Sequence, residues 1–156
     1  MRNQSLDYLE FSETKKKNQS NKTNRVAVIT GGFGIIGSVF LNELLSRDYT
    51  CICLSRNKVK FKELKKKIGL EKFKKIIWIK YDLNKIEDVD RVSKIIGKKY
   101  NKIDCLVNCA MNSNRGKNYS YDKKKYSKEM HGIFGSTFLL TESLLKFLRK
   151  GNSGNI

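Results

Sequence analysis

From Arg25 onward the chain switches repeatedly between two kinds of apolar pattern. Short apolar, β-branched runs at Arg25–Thr30, Thr50–Leu54, Ile76–Tyr81 and Asp104–Ala110 predict buried strands. Between them, apolar residues recur at three- and four-residue spacing and predict helices over Ile35–Arg47, Asn57–Lys67 and Ile86–Tyr100. In the second helix Asn57 is the cap, Val59, Phe61, Leu64 and Ile68 are the apolar positions, and Gly69 is the stop. The third carries Ile86, Val89, Val92, Ile95 and Ile96. A polar loop over Met111–Ser120 leads into a long helix, Tyr121–Lys150, carrying Tyr126, Met130, Phe134, Phe138, Leu140, Leu144, Leu145 and Leu148. Strands alternating with helices predict parallel βαβ units joined by right-handed crossovers. The expected fold class is α/β: a Rossmann-type doubly wound parallel sheet, incomplete, of about four strands in the order 3-2-1-4.

One junction in that pattern carries chemistry. Val26–Thr30 runs straight into Gly31-Gly32-Phe33-Gly34-Ile35-Ile36-Gly37, and this turn opens the first helix. A strand, glycines and a helix in this order cradle a dinucleotide pyrophosphate. Gly31 permits the tight turn, Gly34 lets backbone approach a phosphate, and Gly37 lets the helix pack close to the strand. Ile35 and Ile36 lie in the first turn, where free N–H groups and a partial positive charge favour an anion. Gly31, Gly34, Ile35, Ile36 and Gly37 are therefore candidate cofactor-binding residues. The plain alternative is a strand–turn–helix without a ligand.

Composition narrows the partners. The 156 residues suffice for one domain with a core, and 39% hydrophobic content indicates a globular chain. No apolar run is long enough to span a bilayer. The N-terminus lacks an apolar signal core and carries Asp7, Glu10 and Glu13, so no secretory or transit peptide and a cytoplasmic location are expected. Residues 1–24 form a polar leader, with Leu6–Phe11 expected as a short helix and Thr14–Asn24 as disordered. The formal charge is +18, from 33 basic and 15 acidic residues. The basic residues are mostly Lys, Asn and Ile are abundant and Pro is absent, as codon bias in an AT-rich genome would produce. A solvated basic surface is expected ahead of a nucleic-acid site, which remains an alternative. Cys51, Cys53, Cys105 and Cys109 lack metal-ligand spacing, and the single His131 is remote, so free thiols and no metal are expected.

From Arg25 to Ile156 the chain resembles the short-chain dehydrogenase/reductase family. The resemblance rests on Thr30–Gly37, on Asp82-Leu83 after the third strand, on Asp104-Cys105-Leu106-Val107-Asn108-Cys109-Ala110, and on the long helix that follows. It implies that Asp82 and Leu83 lie against the adenine ring and that Asn108, with Ala110, belongs to the cofactor side of the sheet. Asn108 is implied to brace the sheet with its side chain. The Thr-Gly-x-x-Gly-x-x-Gly spacing resembles the extended, sugar-nucleotide-modifying branch, whereas Asn-Cys-Ala resembles the simple-reductase branch. Met111 stands where the family has Gly. The mixture is similar to surface-sugar reductases of the legionaminic-acid type, which implies hydride transfer to or from a carbonyl or alcohol, possibly on a sugar.

At the end of the second predicted strand, Leu54-Ser55-Arg56-Asn57 offers no carboxylate for a ribose 2′-hydroxyl. Ser55 and Arg56 are expected to bind a 2′-phosphate instead, giving NADP over NAD. The resemblance also implies a catalytic Ser and a Tyr-x-x-x-Lys pair beyond a fifth strand. Tyr81 with Lys85 and Tyr121 with Lys125 match the spacing but precede that place, so neither pair is assigned to catalysis. An Asn that holds a water in relatives aligns with Ile133, and His131 substitutes only if the register shifts. Gly154-Asn155-Ile156 resembles the start of the fifth strand. The chain is thus expected to hold the cofactor half, residues 25–156, without catalytic residues. Homo-oligomerisation through Tyr121–Lys150 is expected once the other half is present. A non-catalytic dinucleotide-binding module or one half of a split enzyme is the alternative.

Overall fold

A computed structural model describes residues 9–10, 25–111, 123–151 and 154–156. Its strands are β1 (Leu9–Glu10), β2 (Val26–Thr30), β3 (Thr50–Ser55), β4 (Ile76–Lys80) and β5 (Cys105–Asn108). They form one sheet in the order β1-β4-β3-β2-β5. The last four are parallel, with Val28 opposite both Ile52 and Leu106, and reproduce the 3-2-1-4 order expected from the sequence.

β1 is a correction. Within Leu6–Phe11, expected as a helix, the described residues Leu9 and Glu10 are extended and pair antiparallel with Ile79 and Trp78. So short a segment nucleates a helix poorly, whereas the open edge of β4 offers unpaired N–H and C=O groups. Thr14–Asn24 lies outside the described residues.

The helices are α1 (Ile35–Ser46), α2 (Val59–Lys67), α3 (Leu70–Phe73), α4 (Ile86–Lys99), α5 (Lys123–Met130) and α6 (Ser136–Leu148). Alternate strand residues feed two cores. Ala27, Ile29, Cys51, Cys53 and Trp78 face Leu41 and Leu45 of α1 and Phe61 and Phe73 of α2 and α3. Val28, Ile52, Leu54, Ile77 and Ile79 face Val92 and Ile96 of α4 and Leu140 and Leu144 of α6. Burial on both faces explains why the strands read as continuous apolar runs. No helix among the described residues is long and apolar enough to cross a membrane.

Asn57 Oδ1 accepts the Val59 N–H at 2.8 Å, although the N-cap position of α2 falls one residue later, at Lys58, and Val59 itself is exposed. α3 was not expected. The long helix is not uniform, because His131–Gly135 forms a π-helical turn between α5 and α6. The hydroxyls of Ser136 and Thr137 donate to the Gly132 and Ile133 carbonyls at 3.0 and 2.8 Å, supporting the irregular turn. Tyr126, Met130, Phe134 and Phe138 are exposed, whereas Leu140, Leu144 and Leu148 are buried against the sheet and α4. Helical spacing identifies apolar positions; it does not say which of them meet a partner.

At the N-terminal ends of the parallel strands, the fully buried Asp104 accepts the Val26 N–H at 2.9 Å and approaches Lys102 Nζ at 3.3 Å. Asp104→Ala strands a buried donor, so unfolding by urea should show a loss of about 2 kcal/mol. At the free edge of β5, Asn155 forms a parallel bridge with Cys105, and its carbonyl accepts the Leu106 N–H at 3.0 Å.

Candidate functional site

A cleft of about 370 Å³ opens at the C-terminal ends of the parallel strands. It lies where the chain order reverses, with β3 on one side of β2 and β5 on the other. Crevices at such switch points are where doubly wound sheets bind ligands. Thr30, at the tip of β2, joins the two sides: its Oγ1 accepts the N–H groups of Cys109 and Ala110, both at 3.1 Å.

The three glycines of the turn have different reasons for being glycine. Gly31 has a φ of 66°, and a Cβ there would meet Ala110 Cα at 2.9 Å. Gly37 is pressed under the turn, where a Cβ would meet the Gly31 carbonyl oxygen at 2.3 Å and Gly32 Cα at 2.9 Å. Both are demanded by the fold. Gly34 is not: its backbone is ordinary (φ −81°, ψ 177°), and a Cβ would meet only the Gly31 oxygen, at 3.2 Å. Gly34 lines the cleft and precedes α1, whose first turn has no side-chain cap and no acidic residue. The N–H groups of that turn suit an anion.

On the β3 side the cleft is lined by Ser55, Arg56, Asn57 and Lys60. Arg56 and Lys60 are exposed cations, and no carboxylate stands among these four. Ser55 already has partners within the fold: its Oγ accepts the Trp78 indole N–H at 2.9 Å and donates to the Asn57 carbonyl at 3.3 Å. On the β4 side stand Tyr81, Asp82, Leu83 and Asn84. Asp82 Oδ1 accepts the backbone and side-chain amides of Asn84 at 3.1 and 3.2 Å, and the Asp82 N–H donates to Asp88 Oδ2 at 2.8 Å. The β5 side supplies Cys109, Ala110 and Met111.

Of the sequence-derived candidates, Gly31, Gly34, Ser55, Arg56, Asp82, Leu83 and Ala110 converge on the cleft. Gly37 supports the turn from beneath. Ile35 and Ile36 do not line the cleft and stand 92% and 66% exposed at the start of α1. Asn108 lies below it. Its Nδ2 donates to Thr141 Oγ1 at 3.3 Å, while its buried Oδ1 has no partner among the described residues. Thr30, Phe33, Lys60 and Cys109 had no assigned role in the sequence, although all but Lys60 sit inside the two recognised motifs.

The Tyr81–Lys85 match does not make a proton-transfer pair. Burial, then the Asp88 and Asp82 carboxylates, push the Tyr81 phenol up to about 12. A general base needs the opposite shift. Tyr121 lies outside the described residues. Ile133 sits in the π-helical turn with an apolar side chain that cannot hold a water, and His131 is half-buried in the same turn. All four cysteines are free thiols. Burial pushes Cys51 up to about 12 and raises Cys53 strongly, whereas Cys105 and Cys109 are partly exposed. Raised thiols are poor nucleophiles and poor metal ligands.

The residues present fit the adenosine and pyrophosphate portion of a dinucleotide: an apolar and polar slot at Asp82-Leu83, cations at the β3 end, and an open helix N-terminus beside Gly34. Comparison with known proteins identifies the family. A sequence model described as short chain dehydrogenase matches residues 25–156. An uncharacterized oxidoreductase of Schizosaccharomyces pombe is 31% identical over 129 residues, covering 82% of this chain and 38% of that protein. A short chain dehydrogenase of Salmonella enterica serovar Typhi superimposes with a TM-score of 0.72 at 26% identity, over 83% of this chain and 54% of that one. The Pseudomonas aeruginosa RhlG/NADP active-site complex gives a TM-score of 0.67 at 25% identity, over 83% and 50% respectively. The chain thus spans about half the length of these solved structures and less of the curated relative.

Proposed function

The chain belongs to the short-chain dehydrogenase family, and from that premise we propose that residues 25–156 are the dinucleotide-holding part of an NADP(H)-dependent oxidoreductase. The observation that carries this reading is Gly34. A Cβ there would meet one backbone atom, the Gly31 oxygen at 3.2 Å, a tight contact that a shift of a few tenths of an ångström relieves, so the fold demands glycine far less here than at Gly37, and the close approach of a phosphate supplies the stronger reason. In this reading the first-turn N–H groups of α1, at Ile35 and Ile36, take the pyrophosphate. Asp82 and Leu83 take the adenine, and Arg56 with Lys60 takes the 2′-phosphate. The nicotinamide supplies the hydride chemistry, acting on a carbonyl or alcohol. A sugar is the substrate class to try first, because of the mixed motifs.

The bridge between Asn155 and Cys105 supports reading Asn155 as the first residue of a further parallel strand. We place the family's Ser and Tyr-x-x-x-Lys outside residues 25–156. The chain alone then binds a dinucleotide without turning it over.

The cofactor preference is tested by titrating wild type and Arg56→Ala with NADPH and NADH in a calorimeter. Removing a charge-assisted contact worth about 1.5–3 kcal/mol should weaken NADPH at least tenfold. NADH binding should barely change. Equal affinities for both nucleotides in both proteins would overturn the NADP preference.

A further inference from the structure

The chain has a single tryptophan, Trp78, and it lies outside the cleft. Its side chain is buried on the α2 side of β4, in the cluster that holds Phe61 and Phe73. Two contacts lead from it into the loop that follows β3. The indole Nε1–H donates to Ser55 Oγ at 2.9 Å, and Lys58 Nζ stands 5.5 Å from the ring centroid. Ser55 Oγ in turn donates to the Asn57 carbonyl at 3.3 Å.

We infer that Trp78 is a positioning residue for nucleotide choice: by holding Ser55 and Lys58 it fixes the loop that carries Arg56 and leads into Lys60 of α2, where a 2′-phosphate is read. The inference rests on the dinucleotide reading above and adds a residue that does not touch the ligand. Its basis is donor–acceptor bookkeeping. An indole N–H can only donate, so it occupies a lone pair of Ser55 and leaves the hydroxyl proton to point elsewhere. That proton now goes to Asn57 over a distance long for an O–H···O bond, whose usual length is about 2.7–2.8 Å. A phosphate oxygen arriving at the loop can replace so weak an acceptor. A phosphate offers acceptors only and gains from a hydroxyl oriented as donor. A ribose 2′-hydroxyl can donate or accept, so it gains less. Loss of the indole N–H should therefore penalise NADPH more than NADH.

The test is Trp78→Phe in the full chain, which keeps an aromatic ring against Phe61 and Phe73 and removes the N–H. Calorimetric titration should show NADPH weakened several-fold and NADH changed less than twofold. Ser55→Ala should show the same selectivity, and the double variant should lose less than the product of the two single losses, because both variants cut one chain of contacts. Equal weakening of both nucleotides, or no weakening of either, would overturn the inference, since mere packing does not distinguish them. If Trp78→Phe fails to fold, the emission of Trp78 in the unaltered chain decides. NADP⁺ should shift it and NAD⁺ should not, and the same response to both would overturn the inference. A folded wild-type chain that binds neither nucleotide would instead remove the dinucleotide reading itself, and this inference with it.

Discussion

Gly37→Ala should unfold more readily than wild type by about 2 kcal/mol, even though alanine is the better helix former. Two effects compete. Replacing glycine inside α1 gains roughly 1 kcal/mol of helix propensity. Against that, the new Cβ would sit 2.3 Å from the Gly31 carbonyl oxygen and 2.9 Å from Gly32 Cα. Both are backbone atoms of the turn, so no rotamer change relieves them, and α1 must move off β2. Overpacking of this kind costs about 3 kcal/mol at the upper end of its usual range, so the clash wins. A urea titration should place the midpoint lower by about 1 M, given slopes of 1–3 kcal/mol per molar. An unchanged or higher midpoint would show that α1 does not pack on the turn as described.

Gly34→Ala should give the opposite signature. The position already has ordinary backbone angles, and a methyl group there meets one atom at 3.2 Å. As an N-cap change it should cost no more than about 1 kcal/mol of stability. Binding should suffer far more, because the methyl group would stand where a phosphate must approach the backbone. NADPH affinity should fall at least tenfold, or about 1.4 kcal/mol. The pair of variants separates the two uses of glycine in one turn: the fold demands one, and the ligand demands the other. If Gly34→Ala is as destabilising as Gly37→Ala and binds normally once folded, the turn is structural throughout.

Much of the sheet was legible because its strands are buried on both faces. Continuous apolar runs such as Val26–Ile29 and Ile76–Ile79 mark the buried strands, and the intervening helices set the parallel order. The cleft was legible where a motif fixes backbone, as at Gly31, Gly34 and Ala110, and where a strand end points to the switch point, as at Arg56 and Asp82. What escaped reading depends on contacts between distant segments. Ser55 is expected from the sequence only as a donor to a 2′-phosphate, with no sign of a partner inside the fold; the β3–β4 register places Cys53 opposite Trp78 and Ser55 opposite Lys80. Ser55 thus lies on the same face as the indole, one diagonal step away, and its hydroxyl is already engaged. No local pattern announces such a pair. Leu9–Glu10 was misread for the same reason, since only the open edge of β4 makes it a strand. The long helix shows the limit of periodicity: Phe134 and Leu144 look alike in sequence, yet one is exposed and the other buried. Ile35 and Ile36 belong to the glycine motif by position, but their side chains point away from the cleft lining and only their backbone N–H groups suit the proposed role.

The central claim is that this chain holds a dinucleotide on the Thr30–Gly37 turn, with a preference set at Ser55–Lys60. Calorimetric titration of the full, folded chain with NADPH and with NADH tests it most directly. Saturable binding of one NADPH per chain, tighter than NADH, is the expected result. A folded chain that binds neither nucleotide would contradict it.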